Sequence, residues 1–278
     1  MDRNKTIAGV VLTLNEEQDL QRALHSLSWC DELLVVDSGS TDRTPQVAKE
    51  CGAQFLQHIQ EPPFLITDQR NWALDKAGLK SDWVLFLDAD EEVGLELAAQ
   101  LRLCINSPAS ADAYELTPRY WFFGKWLKRT QGYPNWHPRL VKRGSIKFVG
   151  GVWESFDGLI TIGRINTPYE HYAFSKGLNN WILAHLRYAT HESESILAFL
   201  QDKRQSSIGT NRSLRLRVIA SIFYPIRPLL RFLQKYVYQL GFLEGWQGLL
   251  YSLLIASYEL MVVTKTIESL RKKQNLPL

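Results

Sequence analysis

Short apolar runs, each ended by polar residues, recur along the first 94 residues of the chain. Such runs occupy residues 7–13, 32–36 and 83–87 and are rich in Val, Leu and Ile. Runs of this length and composition are typical of the buried strands of a parallel sheet. Amphipathic stretches with apolar residues at helical spacing separate them. The alternation of strand and helix predicts a Rossmann-like α/β half with right-handed crossovers.

Polar and acidic residues follow three of these strands, at 13–17, 37–42 and 88–91. Ligands of open α/β sheets bind outside the carboxyl ends of the strands, so we expect these segments to line one crevice. The third segment begins Asp88-Ala89-Asp90. Alternate residues of an extended strand point the same way, which predicts that the two aspartates converge while Ala89 faces away.

Two carboxylates at this spacing suit Mg²⁺ or Mn²⁺ that shares its coordination shell with substrate phosphates. For an isolated Asp-Ala-Asp the alternative is a solvated acidic turn that caps the following helix. No GxGxxG follows the first strand, which weighs against NAD or FAD, and no GxxxxGK[ST] occurs, which weighs against a P-loop kinase or ATPase. The pattern therefore favours a nucleotide site built from carboxylates and a metal.

Composition and charge add a contrast between the two ends of the chain. The 278 residues are 45% hydrophobic and 22% charged, as in a globular protein. Residues 1–202 hold 20 Lys+Arg and 26 Asp+Glu, whereas residues 203–278 hold 12 and 3. A basic, apolar tail favours anionic lipid over nucleic acid as a partner. Cys30, Cys51 and Cys104 form neither a zinc nor a disulfide pattern, and the N-terminus has no signal-peptide core, so we expect a reducing cytosol.

From residue 175 onwards the pattern predicts helices alone. Residues 212–238 place six Lys and Arg among Leu, Ile, Phe and Tyr, which suits a helix in the membrane interface, and Pro225 and Pro228 are expected to kink it. The segment 248–263 is the most apolar, but its roughly 16 residues include Glu259 and fall short of the roughly 20 that a span needs. It is interpreted as a re-entrant, interfacial or docked helix. A helical subdomain packed on the rest of the chain, or a dimer interface, is the alternative.

Four motifs occur in order: TLNEE, VVDSGSTDRT, QRNWAL and LFLDADEE. Together they resemble the family 2 glycosyltransferases, which have the GT-A fold. The downstream HPRLVKR, GGVWESF and GFLEGWQG are most similar to the subgroup of bacterial lipopolysaccharide-core and exopolysaccharide β-glucosyltransferases. The resemblance spans roughly residues 5–265. It implies a GT-A catalytic domain at 1–174, with a nucleotide-sugar-binding half (1–94) and an acceptor half (95–174), followed by a helical membrane-associating region at 175–278.

The resemblance also implies roles for individual residues. The expected nucleotide-sugar contacts are Thr13, Asn15, Glu17, Asp37, Arg70, Asn71, Asp88 and Ala89. Asp37 would accept a hydrogen bond from the uracil imide, and an Asx-type turn is the structural alternative. Arg70 and Asn71 precede the strand of the Asp-Ala-Asp motif, where an Arg would neutralise diphosphate charge, and an exposed helix face is their alternative. The expected metal ligands for Mg²⁺ or Mn²⁺ are Asp88, Asp90 and His171.

An inverting transfer needs a general base that takes the proton of the acceptor hydroxyl. By resemblance Glu154 is the first candidate and Asp157 the second, although Trp153 stands where the subgroup often has His. Glu91 and Glu92 are the other candidates, and a salt-bridge role is the alternative for Glu154. The expected acceptor contacts are Trp136, His137 and Arg139, with a structural His and a surface Arg as the bland alternatives.

The resemblance therefore implies a metal-dependent inverting glycosyltransferase that moves a sugar, expected to be glucose, from a UDP-sugar to a glycolipid or lipid-linked glycan in lipopolysaccharide or exopolysaccharide synthesis. It is expected at the cytoplasmic face of the inner membrane, peripheral or monotopic, without a nucleic-acid partner. Transfer to a polyprenyl phosphate, which needs no general base, is the alternative reaction. A catalytically inactive membrane-bound scaffold is the alternative from another functional class.

Overall fold

The computed structural model of the chain describes residues 4–61, 64–144, 146–150, 154–158, 160–202 and 226–278. The chain divides into two compact units. The first comprises Met1–Trp121 and Tyr133–Ser175, and the second comprises Phe122–Gly132 and Lys176–Leu278. The second unit thus includes a segment from the middle of the chain, within the stretch that the resemblance assigned to the acceptor half.

The first unit is built on a mixed β-sheet with helices on both faces. The strands, numbered along the chain, are β1 (Ile7–Thr13), β2 (Glu32–Asp37), β3 (Gln54–Gln57), β4 (Trp83–Asp88), β5 (Glu91–Glu92), β6 (Ala113–Phe122), β7 (Lys125–Trp126, in the second unit), β8 (His137–Lys142), β9 (Phe148–Gly150), β10 (Glu154–Phe156) and β11 (Ile162–His171). The helices are α1 (Leu20–Ser26), α2 (Thr44–Glu50), α3 (Ile66–Lys76) and α4 (Leu95–Asn106).

The strand order is β3-β2-β1-β4-β8-β6-β11-β5. The first four strands are parallel, so the predicted α/β class and its Rossmann-like half are confirmed. Strand β8 then runs antiparallel to both β4 and β6. Every residue of β1 is buried, as expected for a central strand covered on both faces.

The register brings the polar strand ends to one edge of this sheet. Thr13 is the Cα partner of Asp37, and Leu12 is the partner of Asp88. Gln57, at the end of β3, is the partner of Asp37 on its other side. The predicted crevice at the carboxyl ends of the strands is therefore lined by β1, β2, β3 and β4.

The Asp-Ala-Asp motif departs from the expected geometry in one respect. Strand β4 ends at Asp88, and the next two residues form a turn before β5. The alternation argument for Asp90 was therefore wrong, because that residue is not on an extended strand. Ala89 does face away from the site, since its side chain is 3% exposed and packs in the hydrophobic core.

In the part that the structure describes, the second unit consists mainly of helices, together with the segment 122–132. Its helices are α5 (Gly177–Asp202), α6 (Arg227–Leu233), a π-helical turn (Gln234–Tyr238), a 3-10 helix (Gly241–Glu244) and α7 (Gly245–Lys273). Pro228 lies in the first turn of α6, where the absent N–H costs nothing. Pro225 and all of the basic stretch 212–225 lie outside the described residues, so the expected kink stays a prediction.

The motif GFLEGWQG closes this unit by close backbone packing. A Cβ on Gly248 would overlap the carbonyl oxygen of Gly241, so only glycine allows the 3-10 turn to sit against α7. The carboxylate of Glu244 accepts hydrogen bonds from the backbone N–H of Arg129 (2.6 Å) and Thr130 (3.0 Å). These contacts are what join the segment 122–132 to the helices within the unit.

Candidate active site

Asp37, at the carboxyl end of β2, is fully buried and saturated with hydrogen bonds. One oxygen accepts from the hydroxyls of Thr13 (2.9 Å) and Ser40 (2.5 Å). The other accepts from the backbone N–H of Gly39 (3.0 Å) and Ser40 (2.8 Å) and from Nε2 of Gln57 (3.2 Å). Burial raises the pKa of Asp37, but these hydrogen bonds outweigh it and hold the pKa below its usual value. The Asx-type turn is thus present, and contact with a base edge stays a prediction.

Asn15 and Glu17 tie the loop after β1 to the loop after β2. The side-chain oxygen of Asn15 accepts from the Thr41 N–H (2.8 Å), and the carboxylate of Glu17 accepts from the Arg43 N–H (2.9 Å). In return the Glu17 N–H donates to Asp42 (3.1 Å). These bonds fix the shape of the crevice rim. Both side chains are exposed, so their predicted contact with a nucleotide-sugar is sterically open and remains untested.

The sequence analysis missed Gln69, which is completely buried on α3. Its Nε2 donates to Ser38 Oγ (2.9 Å) and to the carbonyl of His58 (3.0 Å), while its Oε1 lies 2.6 Å from Nδ1 of His58. The side chain therefore holds the ends of β2 and β3 together. A signal was available: residues 67–71 are five consecutive polar residues, and at 100° per residue they turn through a full circle, so they cannot all face solvent when the helix covers a sheet.

Arg70 is 2% exposed, so the alternative of an exposed helix face is wrong for this residue. Its guanidinium lies over the rings of Phe86 and Phe148, 5.5 and 5.3 Å from their centroids. Nη1 donates to the carbonyl of Pro138 (3.1 Å), and Nη2 is 3.7 Å from Oδ1 of Asp88. Arg70 thus places a positive charge next to Asp88 at the end of β4, from helix α3 on one face of the sheet.

Asn71 holds the small β9–β10 hairpin against α3. Its side-chain amide donates to the carbonyl of Phe148 (2.9 Å) and accepts from the N–H of the same residue (2.8 Å). Thr67 adds a hydrogen bond to the carbonyl of Gly150 (3.0 Å). Because both polar groups of Asn71 are used by the hairpin, the geometry gives it a positioning role.

A buried ion-pair cluster joins β4, β5 and β8. Nη2 of Arg139 is 2.8 Å from Asp88 and 2.5 Å from Glu91. The side chains of Arg139 and Glu91 are 6% and 0% exposed, whereas that of Asp88 is 35% exposed. The alternative interpretation of Arg139 as a surface charge is therefore wrong, because its side chain is buried. Glu91 is enclosed and paired, which makes it unsuited to reach an acceptor hydroxyl as a base.

Electrostatics separate the two carboxylates of this cluster. Burial raises the pKa of Asp88, but Arg139, Arg70 and His171 outweigh it and hold the pKa well below its usual range. At Glu91 burial dominates, and with the nearby charges of Asp88 and Asp90 it raises the pKa to about 7 despite Arg139. Asp88 therefore stays ionised, and about a third of its side chain (35%) is exposed.

Asp90 and His171 face each other at the mouth of the crevice. Nε2 of His171 is 3.4 Å from Oδ2 of Asp90, and the two side chains are 20% and 27% exposed. His171 is placed there because the end of β11 pairs with β5. Burial lowers the pKa of His171, but the surrounding charges of Asp90, Glu91 and Asp88 raise it to about 9.

These two side chains fit a divalent cation. A carboxylate oxygen and an imidazole nitrogen, close together and partly open to solvent, are a donor pair suited to Mn²⁺ or Mg²⁺, and because the pKa of His171 is raised to about 9, its imidazole would release a proton when it binds the cation. Among the residues that the structure describes, no cluster of three or more Asp, Glu, His or Cys is arranged to hold a metal alone. Two protein ligands agree with an ion that takes its remaining ligands from water and phosphates. Asp88 fits less well, because its oxygens face two arginines.

The predicted acceptor residues Trp136 and His137 lie at the start of β8. The guanidinium of Arg164 stands 5.0 Å above the Trp136 ring. Nε2 of His137 is 3.0 Å from the side-chain nitrogen of Asn135, and burial lowers the pKa of His137 to about 3. His137 is therefore neutral at physiological pH, and its Nε2 is within hydrogen-bond distance of the Asn135 side chain.

The candidate general bases differ in what the structure says of them. Glu154 begins β10 opposite Gly150, but its side chain and Trp153 lie outside the described residues. Asp157 is exposed just beyond the hairpin, where its N–H donates to the carbonyl of Lys147 (2.9 Å). Neither role is tested by this geometry.

Residues 10–148, half of the chain, match the family model described as glycosyl transferase family 2. The chain belongs to this family. The match begins in β1 and ends in β9, so it includes Asp37, Arg70 and the Asp-Ala-Asp turn. Family membership confirms the resemblance that the ordered motifs indicated.

Individual relatives of this family member align over part of the chain. An uncharacterized glycosyltransferase of Rickettsia bellii is 36% identical over 104 residues, which are 37% of this chain and 34% of that protein. The lipopolysaccharide core biosynthesis glycosyltransferase LpsC of Rhizobium meliloti is 24% identical over 144 residues, 51% of this chain and 53% of that protein. The chain thus spans about a third to a half of the length of these relatives.

Among solved structures, glucosyl-3-phosphoglycerate synthase from Mycobacterium tuberculosis in complex with Mg²⁺ and uridine diphosphate is 21% identical. The superposition covers 60% of this chain and 71% of that chain, with a TM-score of 0.43.

Proposed function

We propose that this family 2 member is an inverting, metal-dependent hexosyltransferase. It would transfer glucose from a UDP-sugar to a hydroxyl of a glycolipid or lipid-linked glycan, as in lipopolysaccharide or exopolysaccharide synthesis. The observation that carries the proposal is the convergence of Asp88, Asp90 and His171 at the carboxyl end of β4. Asp37 lies at the same edge of the sheet, at the end of β2, with β1 between the two strands. The name of LpsC supports the lipopolysaccharide branch of the proposal.

Each polar residue of the crevice receives a role that its surroundings allow. Asp90 and His171 would hold the cation, which when bound supplies positive charge to the leaving diphosphate. Asp88, kept ionised by Arg139 and Arg70, would orient the nucleotide by accepting a hydrogen bond at its exposed edge. The two arginines cannot move with the substrate, because both are nearly buried and paired, so this edge is preorganised.

The transfer itself needs a base on the acceptor side. Glu154 is the first candidate and Asp157 the second; whichever acts would take the proton of the acceptor hydroxyl as its oxygen attacks the anomeric carbon in line. The anomeric bond to the diphosphate breaks as the new glycosidic bond forms, with inversion at that carbon. Trp136, His137 and Arg139 remain the proposed acceptor-side residues, with Arg139 acting through Asp88 and not by direct contact.

The test is release of the nucleoside diphosphate, UDP or GDP, by the purified protein in detergent. UDP-glucose, UDP-galactose, UDP-GlcNAc and GDP-mannose are compared, each with Mn²⁺ and then with EDTA. We expect one UDP-sugar to be hydrolysed in a metal-dependent way, and Asp90→Asn to abolish this. Asp75→Asn is the matched control, because Asp75 is an exposed aspartate on α3 away from the crevice, and it is expected to leave turnover unchanged.

The variants also separate the proposal from its alternatives. Glu154→Gln should remove transfer to a glycan hydroxyl, whereas survival of activity in that variant would favour a polyprenyl-phosphate acceptor. Metal-independent nucleotide binding without turnover on any donor would instead indicate an inactive scaffold. Absence of nucleotide binding under all conditions would overturn the transferase proposal.

The setting proposed for this reaction is the cytoplasmic face of the inner membrane, with the protein peripheral or monotopic. One helical stretch among the described residues, Gly241–Lys273, is long and apolar enough to cross a bilayer by length and composition. The basic tail adds attraction for anionic lipid, and a glycolipid acceptor would be reached at the membrane surface.

A further inference from the structure

Helix α7 carries its apolar side chains on the face that the rest of its unit leaves open. The exposed positions recur at helical spacing, and they are Trp246, Leu249, Leu250, Leu253, Ser257, Leu260, Thr264 and Ile267. Six of these eight are aromatic or aliphatic, and Leu253 and Leu260 are 49% and 54% exposed. A helix of a water-soluble bundle would show the opposite distribution. We call this stripe the outer face of α7.

The inner face of α7 holds the polar and charged residues instead. Glu259 is 2% exposed and forms ion pairs with Arg227 (2.6 Å) and Arg231 (2.8 Å) of α6. Glu192 of α5 bonds the same Arg227 (2.8 Å) and the hydroxyl of Tyr258 (2.7 Å). In the described part of the unit these ion-paired charges lie inside, beside the buried Val262 and Val263, while the large side chains of the outer face are exposed, which is favourable only if the outside is not water.

Helix α6 repeats the same inversion. Leu229, Leu230 and Leu233 are 59%, 50% and 43% exposed, whereas Arg227, in its first turn, has only 11% of its side chain exposed. No residue of the π-helical turn that follows is buried, and Tyr238 at its end is 84% exposed. The outer face of α7 and these side chains of α6 thus expose nine large apolar residues, a set of the kind that marks an interaction surface.

The packing of α5 argues that α7 lies along a membrane and does not cross it. The inner face of α7 contacts α5 through Tyr258, whose ring is 5.3 Å from that of His185. The first half of α5 also exposes apolar side chains, such as Leu183 at 59%, whereas His191 and Glu194 further along are 46% and 65% exposed. Spanning would carry His191 and Glu194 into hydrocarbon at a large cost, whereas an in-plane arrangement leaves them in water.

Aromatic and basic residues border the outer face where lipid head groups would lie. Phe123 is 53% exposed and packs against Trp246, with ring centroids 5.5 Å apart. At the other end of α7, Arg271, Lys272 and Lys273 form the last turn. Aromatic side chains at the interface and Lys or Arg beside anionic head groups are the usual anchors of such helices.

We propose that the outer face of α7, together with the exposed leucines of α6, lies in the plane of one leaflet of an anionic bilayer and does not span it. The partner is the lipid surface itself, recognised by apolar insertion and by basic residues at the rim. The proposal rests on the membrane association proposed above and specifies the face and the orientation. It is independent of the donor, the metal and the general base.

The first test is flotation of the full-length protein with vesicles of phosphatidylglycerol or of phosphatidylcholine. We expect binding to the anionic vesicles and a loss of roughly tenfold or more in the double variant Leu253→Glu/Leu260→Glu, because both side chains would have to leave the hydrocarbon. Leu103→Glu is the matched control: Leu103 is 72% exposed on α4 and should be silent. Equal binding by all three proteins, or no binding by the wild type, would overturn the proposal.

The second test asks whether both ends of α7 stay on one side of the bilayer. Gln234→Cys and Gln274→Cys place thiols at exposed positions before and after the helix. With protein added to preformed vesicles, a membrane-impermeant maleimide should label both, as read by mass spectrometry of the labelled peptides. Labelling of one position only until detergent is added would mean that the helix spans.

Transferase chemistry is followed separately in the same variants. The double glutamate variant should still release UDP in detergent, where no bilayer is needed. If UDP release fails in every variant and the wild type while the lipid-binding pattern holds, the transferase proposal fails and the membrane inference stands. If UDP release is normal and lipid binding is absent, the reverse applies.

Discussion

Replacing Arg139 by methionine probes the buried cluster that fixes the end of β4. Methionine keeps most of the volume of the side chain and removes its charge. Arg139 is 5% exposed, and its Nη2 is the atom that holds both Asp88 (2.8 Å) and Glu91 (2.5 Å). The two carboxylates lose their partner together, but their remaining surroundings differ.

The cost should come almost entirely from Glu91. Asp88 keeps Arg70 at 3.7 Å and is 35% exposed, so water can replace the lost bond. Glu91 is fully buried and keeps the N–H of Asp88 (3.0 Å) as its nearest donor, with Nδ1 of His171 3.8 Å away. Near pH 8, above the pKa of about 7, Glu91 is ionised in the wild type, and leaving that buried charge without its partner costs about 3–5 kcal/mol, a large part of the stability of a typical domain. We therefore expect the free energy of unfolding to fall by about that amount near pH 8.

The assay is urea unfolding of the wild type, Arg139→Met, Glu91→Leu and the double variant, followed by tryptophan fluorescence. The double variant replaces the pair by apolar groups, so it should recover most of the stability and give a coupling energy of about 2 kcal/mol or more. Metal-dependent nucleotide binding should remain weakened in the double variant, because Asp88 has still lost its closer arginine.

The pH dependence gives an independent check of sign. The pKa of Glu91 in the folded wild type is raised to about 7 from an ordinary value of 4.5, so its protonated form stabilises the fold below that ordinary value, and this stability is lost as pH rises through about 7. Without Arg139 the pKa rises further. Arg139→Met should therefore cost less near pH 5 than near pH 8. Equal costs at the two pH values, or additive effects in the double variant, would refute the reasoning.

Three further substitutions address single contacts. Asp37→Asn should lower the free energy of unfolding by about 2–4 kcal/mol at neutral pH. Because the pKa of Asp37 is lower in the folded than in the unfolded protein, its carboxylate stabilises the fold above the unfolded pKa and stops doing so once it is protonated. The difference between the two proteins should therefore shrink as pH falls below about 4. Glu244→Ala should lower the free energy of unfolding by about 2–4 kcal/mol, because it leaves the N–H of the buried Thr130 without an acceptor. The control Glu268→Ala, at a side chain that is 40% exposed, should lower it by less than about 0.5 kcal/mol. Thermal unfolding followed by circular dichroism measures both. Asn71→Ala should cost about 1–2 kcal/mol and speed hydrogen exchange at the Phe148 amide; unchanged exchange there would contradict its role in holding the hairpin.

The parallel half of the sheet was predictable because its strands are buried on both faces. A strand in that position must be apolar along most of its length, and residues 7–12 and 83–87 carry no polar side chain apart from the indole N–H of Trp83. The place of the polar segments follows from the same argument, since parallel strands bring their carboxyl ends to one edge. What this reasoning could not supply was the pairing of β11 with β5, which places His171 beside Asp90 across 81 positions of sequence.

Polar residues inside the fold were harder to predict than apolar ones. Gln69, Arg70 and Arg139 are nearly or fully buried, although their residue types are mostly found at the surface. Each is stabilised by partners distant in sequence, such as Pro138 for Arg70 and Asp88 for Arg139. Periodicity carries no information about such partners, so a surface role was a reasonable alternative for both arginines and proved incorrect.

Several motif residues of this chain form hydrogen bonds with one another or with neighbouring loops. The side chains of Asn15, Asp37 and Asn71 form hydrogen bonds to loops and to the β9–β10 hairpin. Those of Asp90 and His171 are partly exposed to solvent. A residue can be required for activity because it shapes the crevice or because it touches the substrate, and sequence motifs do not distinguish the two. Exposure and hydrogen-bond saturation do. On that criterion the ligand-facing group is narrower than the motif set, and it centres on the exposed edge of Asp88 with the Asp90–His171 pair.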